Sequence, residues 1–327
     1  MRRFALTADP LQLLPDDKVY VAGHRGLVGS AIWRRLQADG FGRLVGRSSE
    51  ELDLRERAAV QEFMEDCRPD IVIDAAARVG GILANDRAPA EFLSDNLRIQ
   101  VNLIDAAHAT DVRRFVFLGS SCIYPRLAEQ PIREDSLLTG PLEPTNEAYA
   151  VAKIAGVLHI QSLRREYERP YISIMPTNLY GPGDNFDLAT SHVLPALIRR
   201  FHEAKLAGRD HVELWGSGDP RREFLHVDDL ARAVLHLLRT YDSPEPINVG
   251  VGRDIAIKDL ARLVASIVGF AGDVRWDRSR PDGTPRKLLD VSRLRALGWA
   301  PQISLEAGIR QTYEWFRLHF GSGSADM

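Results

Sequence analysis

Tyr149 and Lys153, four residues apart in EAYAVAK, fall on one face of any helix that the segment forms. A lysine ammonium beside a phenol favours phenolate and lowers the tyrosine from its ordinary value of about 10. Such a tyrosine passes a proton to a carbonyl oxygen while hydride arrives from a nicotinamide. A second chemical stretch, GSSCIYP at residues 119–125, follows the apolar run FVFLG. Ser120, at the end of that predicted strand, is placed to orient a carbonyl by hydrogen bonding. Cys122 is either a small buried hydrophobe, as most free cysteines are, or an acid–base group. A Tyr-x-x-x-Lys pair is common on exposed helices; its weight comes from the nearby strand-end serine and a glycine loop.

That loop lies in VYVAGHRGLVGSAI, where Gly23, Gly26 and Gly29 stand between a predicted strand and a predicted helix. Glycines there allow a tight turn and a close backbone approach to a pyrophosphate, whose charge the helix N-terminus favours. The spacing is G-x-x-G-x-x-G rather than G-x-G-x-x-G. At the end of the second strand, an acid would bond a ribose diol and an arginine would meet a 2′-phosphate. LVGRSSEELDL places Arg47, Ser48 and Ser49 there, and Arg25 sits inside the glycine loop. Two arginines favour NADP; the alternative is a solvated Arg47 with Glu50 or Glu51 on the ribose. Asp53 lies too far along.

These groups need a scaffold. The chain has 327 residues, 45% of them hydrophobic, enough for one large α/β domain or two smaller ones. From Lys18, short β-rich runs alternate with helical stretches: VYVAG, a helix over 27–38, RLVG, a helix near 56–65, IVIDAA, a helix near 97–108, FVFLG, a helix over 147–168, and YISIM. The alternation predicts a Rossmann-type, doubly wound parallel sheet of the α/β class over residues 18–176. Residues 177–320 read mainly as a smaller C-terminal substrate-binding lobe, with later strands returning to the sheet near 224–250. Residues 1–17 read as an N-terminal extension, disordered or docking, and 321–327 as a flexible tail.

Composition narrows the function classes. Lys and Arg number 42 against 45 Asp and Glu, a net charge of −3, so nothing global draws the chain to nucleic acid or an anionic membrane. The two cysteines, Cys67 and Cys122, have no CxxC spacing, which argues against a disulfide framework or a thiolate zinc site and fits a reducing cytoplasm. Cys67 is read as structural. No His/Asp/Glu cluster has metal-ligand spacing. No apolar segment approaches the about 20 residues that span a bilayer, so a soluble protein is expected.

The stretches AGHRGLVGSAI, LGSSCIYP, EPTNEAYAVAKIAG, MPTNLYGPGDNF, SHVLPALIRRFHEA, REFLHVDD and PDGTPRKLLDV fall between residues 22 and 291, within a likeness that spans 18 to about 318. Together they resemble the extended short-chain dehydrogenase/reductase superfamily and, within it, the GDP-L-fucose synthase family. The resemblance implies an NADP(H)-dependent 3,5-epimerase and 4-reductase acting on GDP-4-keto-6-deoxy-D-mannose. A C4 ketone acidifies the hydrogens on C3 and C5, so a base and an acid on opposite faces of the sugar can invert both centres. By the resemblance, Cys122 is that base and His192 that acid, while Ser120, Tyr149 and Lys153 serve the reduction. Reduction follows epimerisation, because removing the ketone removes the acidity.

The resemblance also implies a cofactor site of Gly23, Arg25, Gly26, Leu27, Val28, Gly29, Arg47, Ser49, Lys153, Pro176, Asn178, Leu179 and His192. The family often carries a further arginine in the loop after the second strand, where RSSEE offers serines instead. A sugar nucleotide brings a diphosphate that needs cations, and basic residues cluster in RRFHEA, DPRREF and TPRKLLD. Among them the resemblance points to Arg200, Arg222 and Lys287, with Trp215 packing on sugar or base. His226 is read as a helix cap. The helix AYAVAKIAGVLHI is apolar beyond one stripe, which fits packing on the sheet and on a second subunit, as in the family's homodimers. Competing readings are a related GDP-deoxysugar synthase, a 4-epimerase that retains NAD, and a non-catalytic dinucleotide sensor.

Overall fold

A computed structural model of the chain describes residues 11–280 and 282–320, except for the side chains of Ile82 and Leu83. The strands are β1 (Lys18–Ala22), β2 (Arg43–Val45), β3 (Ile71–Asp74), β4 (Arg114–Leu118), β5 (Ile172–Pro176), β6 (Asn178–Tyr180), β7 (His211–Trp215), β8 (Arg221–His226), β9 (Ile247–Val249), β10 (Asp254–Ala256), β11 (Asp273–Asp277) and β12 (Arg286–Lys287). The helices are α1 (Leu27–Ala38), α2 (Arg57–Cys67), α3 (Ile82–Arg87), α4 (Pro89–Ala109), α5 (Glu147–Tyr167), α6 (Val193–Leu206), α7 (Val227–Thr240), α8 (Ile257–Val268), α9 (Ser292–Ala296) and α10 (Leu305–Phe320).

Six strands form a parallel sheet in the order β2-β1-β3-β4-β5-β9. Its central strands are continuous apolar runs because helices cover both faces. On one face, Ala31, Ile32 and Leu36 of α1 meet Leu230, Val234 and Leu238 of α7. On the other lie Val60 and Met64 of α2, Leu103 and Ile104 of α4, and Val157 and Ile160 of α5. The strand order reverses between β1 and β3, and doubly wound sheets bind ligands outside the strand ends at such a point. The expected Rossmann-type sheet is present.

A second body is built on β8, flanked by antiparallel β10 and by parallel β12 and β6. β7 pairs with β11, and α6, α8 and α10 enclose a third core that includes Ile198, Phe201, Val264 and Phe316. The return to the main sheet is narrower than the expected 224–250: α7 and β9 go back, whereas β8 stays in the small sheet. The reason is Glu223, fully buried, whose carboxylate accepts from the backbone of Val251, Gly252 and Leu289 and so fixes β8 to the small-sheet side.

Two other boundaries differ from expectation. α4 begins at Pro89 rather than near residue 97, because proline, a helix breaker inside, is favoured in the first turn. Residues 1–10 of the expected extension and the 321–327 tail lie outside the described residues. Residues 11–17 are docked: Leu13 packs on the first core, and Asp17 pairs with Arg113 at 2.5 Å. No helix among the described residues is long and apolar enough to cross a membrane.

The loop after β6 buries Asp184, whose Oδ1 accepts from Asn185 N at 2.7 Å while Oδ2 has no described partner. Burial pushes this carboxyl up to about 7, against the pull of the Asn185 hydrogen bond. The folded state therefore binds the proton more tightly than the unfolded chain. The associated stability is full below about pH 4 and is lost as pH rises through about 7. Asp184→Asn should raise the melting temperature at pH 8 but hardly at pH 4, with a difference of about 4 kcal/mol. Equal shifts at both pH values in a thermal melt would refute this.

Candidate active site

Two strand ends of the main sheet open into the cleft. After β1 the chain turns through Gly23 at φ 74°, Gly26 N donates to Gly23 O at 3.0 Å, and α1 starts at Leu27. A Cβ at Gly23 would lie 2.8 Å from the Ala75 carbonyl oxygen, and one at Gly29 would lie 2.1 Å from the Gly23 carbonyl oxygen. The loop thus lies against the end of β3 and α1 against the loop, with no room for side chains. This cradle at a helix N-terminus fits a dinucleotide pyrophosphate.

At the adenosine end, Glu51 folds back on Ser48, accepting from its backbone N at 2.7 Å. Its carboxyl is held below the usual range by the Ser48 backbone and hydroxyl, and then by the Arg25 and Arg47 charges. The acid left open as a ribose ligand is therefore engaged locally. Arg47 lies over the Phe63 ring at 5.5 Å. Arginines and serine hydroxyls suit a 2′-phosphate better than a bare diol, so the loop fits NADP.

The second strand end is β4, followed by the turn that carries Ser120 and Cys122. Ser120 Oγ accepts from Cys122 N at 3.2 Å, and its hydroxyl favours the ionised form of the Tyr149 phenol. Lys153 of α5, buried, donates to Leu118 O at 2.9 Å and lies 6.0 Å from the Tyr149 ring centroid. Ser120, Cys122, Tyr149 and Lys153 are thus brought together. The expected lowering of Tyr149 is not found: burial, and next the negative charge of Cys122, push its phenol up, against the Ser120 hydrogen bond. Burial also pulls Lys153 down, opposed by Asp74. Asp74 is fully buried at the end of β3 and pushed up to about 6 by desolvation, with Lys153 pulling the other way.

Cys122 behaves oppositely to its phenolic neighbour. Its Sγ receives Asn146 Nδ2 and Lys287 Nζ, each at 3.3 Å. Burial alone would raise this thiol, but the Lys287 charge and the hydrogen bonds from Ser120, Lys287 and Asn146 win, and the net direction is down. Lys287, a diphosphate candidate by the resemblance, has its ammonium on the Cys122 sulfur. His192 is the residue that precedes α6, and its side chain makes no capping hydrogen bond. Desolvation lowers its imidazole first, and the Lys287 cation lowers it further.

The remaining candidates are more scattered. Arg222 faces Lys287 in the β8–β12 register, and its charge is felt by Cys122, Glu143 and Asp282. Arg200 lies half-buried on α6, two turns beyond His192. Trp215, at the end of β7, is half-exposed with the Arg280 guanidinium 5.2 Å from its ring. Asn178 spends its amide on Glu223 O at 2.8 Å, and Pro176 and Leu179 flank it at the β5–β6 junction. His226 is the cap of α7, accepting from Asp228 N. Sequence reasoning passed over Asn146, Glu223 and Asn248. Asn248 of β9 accepts from Tyr124 OH at 2.7 Å and donates to Ile132 O and Asp290 O, tying the Cys122 turn to the segment that bears Lys287. Of these, Asn146 alone had a local signal, standing three residues before Tyr149.

A nucleotide cradle, a Ser–Tyr–Lys set at the next strand end and a cationic second lobe define a dinucleotide-binding α/β protein built to work on a carbonyl. The chain belongs to the NAD dependent epimerase/dehydratase family, whose model matches residues 19–250. It is 56% identical over 299 residues to GDP-L-fucose synthase 1 of Arabidopsis thaliana, covering 91% of this chain and 93% of that one. To GDP-L-fucose synthase of Escherichia coli it is 54% identical over 312 residues, covering 93% and 97%. A solved GDP-L-fucose synthetase from Naegleria fowleri bound to NADP superposes with a TM-score of 0.86 at 29% identity, covering 95% and 97%.

Proposed function

We propose that this chain converts GDP-4-keto-6-deoxy-D-mannose to GDP-L-fucose, epimerising C3 and C5 before reducing C4. The observation that carries the reading is the Cys122 sulfur, hydrogen-bonded by Lys287 and Asn146 beside the Ser120–Tyr149–Lys153 set. A simple reductase needs only the latter set, and a thiol with two extra donors has work to do in proton abstraction. NADPH, when bound, supplies the hydride for C4. Gly23, Gly26 and Gly29 would hold its pyrophosphate, and Arg25, Arg47 and Ser49 its 2′-phosphate.

In this reading Ser120 orients the C4 carbonyl and Tyr149 delivers the proton to its oxygen. Cys122 removes the proton from C3 or C5, and His192 returns one from the opposite face. For His192 to give a proton it must first hold one, and Lys287 works against that. A diphosphate-bearing substrate brings compensating negative charge, so binding would charge the histidine. Arg200, Arg222 and Trp215 are the proposed handle for the nucleotide.

The molecule is further read as a cytoplasmic homodimer meeting through α4 and α5, which leave Val101, Val151 and Leu158 exposed. Incubation with the 4-keto substrate in deuterated water, with NADPH or NADH, tests the function. The expected result is deuterium at C3 and C5 of GDP-L-fucose with faster oxidation of NADPH. Reduced product without deuterium would leave a plain ketoreductase and end the epimerase reading.

A further inference from the structure

Lys287 reaches Cys122 across 165 residues of chain, and several elements fix that approach. β12 pairs with β8 with Lys287 opposite Arg222. The residues after it are clamped from both sides: Leu289 N donates to Glu223, while Ile132 N donates to Leu288 O at 2.7 Å and Asp290 N to Ile132 O at 2.8 Å. Asn146, at the N-terminus of α5, supplies the second contact, with Nδ2 3.3 Å from the sulfur. An ammonium has three donors and no acceptor, so the sulfur it touches is the accepting partner. The Asn146 carbonyl oxygen is buried with no described partner, which leaves its amide hydrogens as the group that the site uses.

We propose that Lys287, with Asn146, forms a two-donor cradle that keeps the Cys122 sulfur as thiolate, so that Lys287 acts as an electrostatic positioning residue for the base. The use of that base rests on the epimerase reading above, but the cradle itself does not. The cradle works because an ammonium in hydrogen-bond contact favours the charged form of its partner, more strongly where water is excluded. The downward direction found for Cys122, against the effect of burial, agrees with it. The same cation reaches His192, so one lysine keeps both groups of the proposed acid–base pair in their proton-accepting forms until an anionic ligand arrives.

The test is a thiolate titration at 240 nm on the whole protein without substrate or cofactor, each variant measured against the same variant carrying Cys122→Ser. That subtraction removes Cys67 and the distant tyrosines; Tyr149, whose phenol responds to the Cys122 charge, is replaced by Phe in every variant and in its control. The Lys287→Met midpoint should rise by at least one pH unit, leaving about tenfold less thiolate at neutral pH. Lys287→Arg should restore most of the shift, because the charge remains, and Asn146→Ala should move the midpoint in the same direction by less. Iodoacetamide reactivity of Cys122 should fall about tenfold at pH 7 in Lys287→Met and converge with the parent above pH 10.

An unchanged midpoint in Lys287→Met and Asn146→Ala, with only a raised KM for the GDP-sugar, would overturn the cradle and leave Lys287 as a diphosphate ligand. If Lys287→Met does not fold, Lys287→Arg and Asn146→Ala, which alter different elements, decide the matter by the same midpoint. Because no substrate is present, a shifted midpoint together with absent deuterium uptake would sink the epimerase reading and leave the cradle standing.

Discussion

Cys122→Ser is expected to lose deuterium uptake at C3 and C5 by about 10²–10⁴-fold while still oxidising NADPH against the ketone, and Tyr149→Phe is expected to do the reverse. The magnitude is that of losing one positioned acid–base group. The division is not automatic, because both groups lean on Ser120, whose Oγ accepts from Cys122 N and whose hydroxyl favours the ionised form of the Tyr149 phenol. A serine hydroxyl in place of the thiol stays un-ionised near neutral pH, so the change also removes the charge that raises the Tyr149 phenol. The pH dependence of residual reduction in Cys122→Ser should therefore move to lower pH. Mass spectrometry of exchanged substrate and the absorbance of reduced nicotinamide read the two steps separately. Equal loss of both steps in both variants would mean that one group does both jobs.

The second large effect is Gly29→Ala. The added methyl would lie 2.1 Å from the Gly23 carbonyl oxygen and 2.8 Å from the His24 Cα, both backbone atoms that no rotamer can move. α1 must then back away from the loop, which opens the pyrophosphate cradle. Cofactor affinity should fall by at least about 100-fold, equivalent to roughly 3 kcal/mol. The methyl falls outside the Cys122–Lys287 pair, so the 240 nm thiolate midpoint should stay where it is. Fluorescence titration with NADPH measures the loss, and retention of tight binding would show that the loop has slack.

Legibility followed distance along the chain. The glycine loop, the strand-end Ser120 and the i, i+4 pair Tyr149 and Lys153 stood out because strand, turn and helix impose short fixed spacings. Sequence periodicity likewise gave α1 its limits, Leu27–Ala38. Where the reading went astray, the cause lay in partners far away. Tyr149 pairs locally with Lys153, yet that amine is bound to Leu118 O, and the phenol is governed by burial and by Cys122. The expected return near 224–250 takes in the end of β8, because nothing in RREFLH reveals that Glu223 will meet backbone donors at 251, 252 and 289.

The sequence by itself determined the class of fold, the dinucleotide loop and the Tyr149–Lys153 pair, since each depends on residues within a few positions of one another. The tertiary structure decided what those groups are able to do. Lys287 is an ordinary basic residue in TPRKLLD until the β8–β12 register and the Ile132 clamp bring it onto sulfur. The ionisation of a thiol depends on charge and solvent exclusion within a few ångströms, and folding alone brings residue 287 that close to residue 122.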